Sequence, residues 1–105
     1  MLIWSREINA DEIDAWIIAL RSEGDWGIEL EAVARTTLLA MAASDNTYTG
    51  KDLYRVFHSP MQRQQFVAAE KDEMTVSGRS VNELATVDET TYSMLASRTL
   101  SCHRS

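Results

Sequence analysis

Residues 9–22 read NADEIDAWIIALRS, and this one stretch holds both parts of a helix signature. Asn9 followed by Glu12 is a capping box, in which side chains satisfy backbone N–H groups that a helix start leaves unpaired. Ile13, Trp16, Ile17 and Leu20 then recur at offsets of 3, 4 and 7, the spacing of one helical face. Ile8, just before the cap, is placed to staple onto Ile13. Together these features predict a helix from about Ala10 to Ser22 with its apolar stripe in a core. Ile18 falls about 140° from Ile13 on a helical wheel. It lies between Asp11 and Asp14, and so points out of the core through an acidic surface.

The start signal recurs at Thr49-Gly50-Lys51-Asp52, Ser59-Pro60-Met61-Gln62 and Ser80-Val81-Asn82-Glu83. Between these punctuation marks the chain reads as helix throughout. Gly24 is suited to end the first helix and Asp25 to cap the next one. A second helix, about Ile28 to Ala43, carries Leu30, Val33, Ala34, Leu38 and Met41 on one side and Ile28, Ala32 and Leu39 on the other. A helix apolar on two sides is central in a bundle or shared with a second copy. Thr49 caps a third helix with Leu53, Val56 and Phe57 inward and Tyr48 as its staple. His58-Ser59-Pro60 breaks it, because a residue before proline avoids helical angles and Pro60 suits a first helical position.

A fourth helix is expected from about Pro60 to Glu73, with Met61, Phe66, Val67 and Ala69 as its sparse apolar residues. Thr75 to Arg79 reads as a linker, with a small hairpin over Thr75 to Val81 about Ser77-Gly78 as the alternative. The last helical region starts at Ser80 and carries Val81, Leu84, Ala85, Tyr92, Leu95, Ala96 and Leu100; the pattern leaves open whether Thr86 to Glu89 interrupts it. The expected architecture is all-α, a compact single-domain bundle of five or six short helices over residues 1–100, with residues 101–105 a fraying tail.

A chain of 105 residues suits one domain and can bury about two-thirds of its unfolded surface. The single cysteine, Cys102, permits no internal disulfide and fits a reducing, cytoplasmic setting. Apolar runs such as Leu38 to Ala43 fall far short of the ~20 residues that cross a bilayer. The N-terminus has no basic region before its short apolar stretch, so it reads as an arm docking on the core rather than a secretory signal. The net charge is −6, and all of the excess lies in the first third. There Glu7, Asp11, Glu12, Asp14, Glu23, Asp25, Glu29 and Glu31 face only Arg6 and Arg21. That balance repels a phosphate backbone and attracts a basic surface.

Nothing in the chain spells catalysis. The histidines are His58 and His103, so a Cys/His pair would have to be built at Cys102-His103 on the terminal tail. Those two residues also lack the further ligands at the spacing a zinc site requires, and no cofactor motif is present. The helix 1 carboxylates lie on the expected wet face, where nothing raises a carboxyl pKa for acid–base work. A helix-turn-helix reading of residues 80–100 is weakened by Glu89 at the usual turn glycine and by Arg98 as the only base of the would-be recognition helix. The candidate surface is therefore acidic with apolar anchors: Glu7, Asp11, Asp14, Ile18, Trp26, Glu29 and Glu31. It suits a basic surface of a larger protein, with charge steering encounter and apolar contact slowing departure. A DNA-binding regulator using residues 80–100, or a homodimeric scaffold using helix 2, are the alternatives. In size, acidity and lack of catalytic chemistry the chain is similar to small phage-encoded inhibitors such as anti-CRISPR proteins, and to small anti-sigma factors. That likeness is of character and rests on no motif.

Overall fold

The computed structural model describes residues 5–21, 26–70, 84 and 86–104, with side chains described as far as Ser101. Asn9 is extended (φ −134°, ψ 161°), and the chain then winds through a 3-10 turn, Ala10–Glu12, into α1, Ile13–Arg21. The capping box expected at Asn9 does not form. The Asn9 amide donates to Glu12 Oε1 at 3.0 Å, and Arg6 donates to the other oxygen of the same carboxylate. The charged guanidinium outcompetes the backbone N–H for Glu12, and the first turn tightens into 3-10 form instead. Arg6, first among the causes, and Asn9 hold the Glu12 carboxyl below the usual range.

α2 spans Ile28–Ala43, α3 Gly50–His58, α4 Pro60–Glu70 and α5 Glu89–Arg104. The architecture is all-α, and the helices share one core containing Ile8, Ile13, Trp16, Ile17, Leu20, Leu38, Leu53, Phe57, Phe66, Tyr92 and Leu95. No helix is long and apolar enough to cross a membrane among the described residues. The expected box at Thr49 forms, and its N–H donates to Asp52 Oδ2 at 3.0 Å. Ser59 is extended (φ −111°, ψ 119°), as a residue before proline must be, and its Oγ accepts the Gln62 N–H. The N-terminal arm is held by backbone pairing as well as by Ile8: Glu7 forms an isolated antiparallel bridge with Thr49, and Ile8 N–H donates to the Tyr48 carbonyl.

α4 is described over Pro60–Glu70, and residues 71–73 of the expected helix lie outside the described residues; its buried residues are Arg63, Phe66 and Glu70, while Met61 is 65% exposed. The final helix starts at Glu89, with Val87 and Asp88 non-helical before it, which decides a point that the sequence pattern leaves open; Leu84 is buried. The α5 backbone continues to Arg104 rather than ending near Leu100, because no glycine or proline follows and each added residue costs little once a helix is nucleated. The cap expected of Ser80, the linker at 75–79 or hairpin at 75–81, and the cap expected of Asp25 lie outside the described residues.

The unexpected core residue is Arg63, 5% exposed. Its Nη1 donates to the carbonyls of Val56 and Phe57 at 3.0 and 3.1 Å, two of the carbonyls that the end of α3 leaves unpaired. Its Nη2 pairs with the Glu89 carboxylate at the head of α5, and the guanidinium lies 3.7 Å from the Tyr92 ring centroid. Tyr92 in turn donates its hydroxyl to the Leu84 carbonyl. Burial, opposed by Arg63 and aided by Glu89, pushes the Tyr92 phenol up to about 12. Arg98 repeats the device at α1, donating to the Leu20 carbonyl at 3.2 Å.

Replacing Arg63 by Ala strands two buried carbonyls and opens space beside Tyr92. Urea unfolding is expected to show a loss of about 3 kcal/mol for Arg63→Ala. Glu89→Gln, at an exposed carboxylate, should cost below about 1 kcal/mol. Equal losses would show that the ion pair, not the carbonyl bonds, dominates.

Candidate functional site

On α1, Asp14, Ile18 and Arg21 stand at offsets of 4 and 7 and so share one face, opposite the buried Ile13, Trp16, Ile17 and Leu20. On α2, Ile28, Glu31, Ala32 and Arg35 share a face by the same rule. Ion pairs hold the two faces side by side in antiparallel fashion. Arg35 Nη1 lies 3.0 Å from Asp14 Oδ1, and Arg21 Nη1 lies 3.8 Å from Glu31 Oε1 at the other end. Ile18 sits between these ties and is 63% exposed, while Ile28 is 92% exposed. Beside them runs a groove of about 380 Å³ lined by Arg21, Trp26, Gly27, Ile28, Glu31, Ala32 and Arg35.

Glu31 is the hub of the groove. It accepts the Trp26 indole N–H at 3.2 Å and the Arg35 Nε–H at 3.5 Å, besides pairing with Arg21. The Trp26 hydrogen bond, first among the causes, lowers the Glu31 carboxyl below the usual range; burial opposes it, and Arg35 and Arg21 reinforce it. Arg35 is raised, chiefly by its hydrogen bond to Asp14. Trp26 is clamped from its other side by Arg98, whose guanidinium carbon is 5.3 Å from the ring centroid. Trp26 is thus half-buried and oriented, with its N–H fixed on Glu31.

Of the residues singled out in the sequence, the structure brings Asp14, Ile18, Trp26 and Glu31 to this one surface, with the exposed Glu29 in the first turn of α2 and the exposed Asp11 in the turn before α1. Glu7 stands elsewhere, bridged through its backbone to Thr49 at the head of α3. The acids are not uniformly free. Asp14 and Glu31 are paired within the chain, whereas Asp11 and Glu29 make no ion pair with a described residue. Arg21 and Arg35 are not among the sequence candidates, and the sequence assigns Ile28 and Ala32 to the second apolar side of helix 2 rather than to the acidic surface. The Glu31/Arg35 offset of four was a readable signal; the pairs between α1 and α2 had none.

The second apolar side of α2 is divided. Ile28 is exposed and Ala32 lines the groove, but Leu39 packs against the core. Arg98, the one base of the would-be recognition helix, is directed to Leu20 and Trp26. His58 stacks on Tyr54 with ring centroids 5.1 Å apart. Among the described residues no three His, Cys, Asp or Glu side chains group to hold a metal ion. No protein-family pattern, characterised protein or solved structure matches this chain.

Because the Glu31 pKa is lowered on folding, the carboxylate contributes stability above the ordinary glutamate range and loses it as pH falls below that range. The urea midpoint should therefore fall between about pH 5 and pH 3. In Glu31→Gln, which keeps an acceptor for Trp26, the fall should be shallower, with the difference readable in indole fluorescence. An identical pH profile for the two proteins would show that Glu31 carries no linked charge.

Proposed function

We propose that this protein is a non-catalytic interaction module whose α1–α2 face docks on a basic surface of a larger protein. The observation that carries this reading is the pair of exposed aliphatic side chains, Ile18 and Ile28, set beside a groove and near Asp11 and Glu29, acids that make no ion pair with a described residue. Exposed apolar area supplies affinity when it is covered, and the surrounding charge selects and steers a cationic partner. Trp26 adds an anchor of the kind enriched at the centres of interfaces, already fixed in orientation by Glu31 and Arg98.

A basic groove built to hold nucleic acid is the surface that this charge pattern complements best, since such grooves concentrate arginine and lysine. Covering one would inhibit or adapt a nucleic-acid-handling complex without any chemistry by this chain. The excess of acid in the first third of the sequence supports the same direction, because it opposes direct binding to a phosphate backbone.

Affinity capture from lysate of the source organism or its host, with wild type beside an Asp11→Lys, Asp14→Lys, Ile18→Asp variant, tests the reading. All three positions are exposed, so circular dichroism should show an unchanged helical fold. A prey held by wild type and lost by the variant is the expected result. Equal capture by the folded variant contradicts the assignment of the surface.

A further inference from the structure

Resting on the proposed docking role, we infer that the occupant of the α1–α2 groove is an amphipathic helix with basic residues at both ends of an aliphatic stripe. Three features of the surface set this chemistry. First, it is made of two antiparallel helices tied at both ends by Asp14–Arg35 and Arg21–Glu31, a shape on which a third helix can lie. The face is built from helices, whose backbone N–H and C=O groups are already paired along their length, so β-strand addition has no template there.

Second, the exposed Ile18 and Ile28, with half-buried Ala32 and Trp26, occupy the middle and one end of the surface. A ligand helix meets such a strip with aliphatic residues at offsets of 3, 4 and 7. Third, the charge of this surface that has no ion-pair partner among the described residues is acidic and stands at both ends: Asp11 before α1, and Glu29 in the first turn of α2. Asp14 adds to the first end, because its side chain is 82% exposed and its bond to Arg35 uses Oδ1, leaving Oδ2 for an incoming cation. The two arginines of the surface are engaged with carboxylates, so neither confronts a cationic ligand as a free charge. From Asp11 to Arg21, whose partner Glu31 stands two positions from Glu29, the helical rise is about 15 Å, which places the ligand's basic residues about ten positions apart.

The test uses the full chain, 15N-labelled, and three synthetic peptides of about four turns. One has lysines ten positions apart flanking leucines at offsets of 3, 4 and 7. The second has the same composition with the leucines scattered around the helix, and the third replaces each lysine with glutamate. The expected result is saturable binding of the first peptide, with amide shifts concentrated at residues 11–18 and 26–35. Affinity should be at least tenfold weaker for the scattered peptide, undetectable for the acidic one, and at least tenfold weaker for Ile28→Asp, an exposed position at which folding is preserved. Equal binding of the ordered and scattered peptides overturns the helix and leaves the basic-partner reading standing. Absence of binding by any peptide overturns both. Concentration-dependent shifts at the same residues in the protein alone make a second copy the occupant, and overturn the inference as well.

Discussion

A buried guanidinium organises half of this molecule. Arg63 stands where three helices meet, and it bonds both to the backbone and to side chains there. The end of α3 presents carbonyls with no helical partner, the head of α5 carries an anion at Glu89, and the Tyr92 ring offers a π face. An unpaired guanidinium in the same place would be costly, so the arrangement admits one register of α4 against α3 and α5. α4 otherwise packs chiefly on α3, and its Phe66 meets Tyr48, in the segment before α3, edge-on. Arg63 is its bridge to the last helix.

The same logic extends to the other half. Arg98 reaches from α5 to the Leu20 carbonyl at the end of α1 and lies against Trp26, so a second arginine caps a second helix terminus from a distant part of the chain. Trp26 is thereby fixed, and with it Glu31 and the groove. Internal polar ties set the shape of the α1–α2 surface, while Ile18, Ile28, Asp11 and Glu29 remain outside those ties. The division explains how one short chain can have both a specified fold and an adhesive face: arginines at helix ends position the helices, and the residues left over face outward.

How far the sequence reveals this depends on the range of each interaction. α2 and α3 lie where the apolar period and the Thr49 signal put them, because caps and periodicity are local. The inward residues of α1, and the outward direction of Ile18, come from the same period. Asn9 looks like a capping box in isolation, but Arg6 competes for its Glu12. Arg63 reads as one more charged residue on a sparse helix. Its partners at Val56, Phe57, Glu89 and Tyr92 arise only after three helices meet, and no pattern in residues 60–70 announces a buried charge. The groove is hidden for a related reason: Arg35 reaches 21 positions back to Asp14. Acid composition marks the surface as charged without revealing which acids are already paired.

Native-state hydrogen exchange on wild type and Arg63→Ala, followed amide by amide, tests the central role of the buried guanidinium most directly. If Arg63 is the bridge, the variant should lose protection in α4 and the first turns of α5, while α1 and α2 keep theirs apart from the global loss of stability. Uniform loss from α1 through α5, or unchanged protection in α4, would contradict the account.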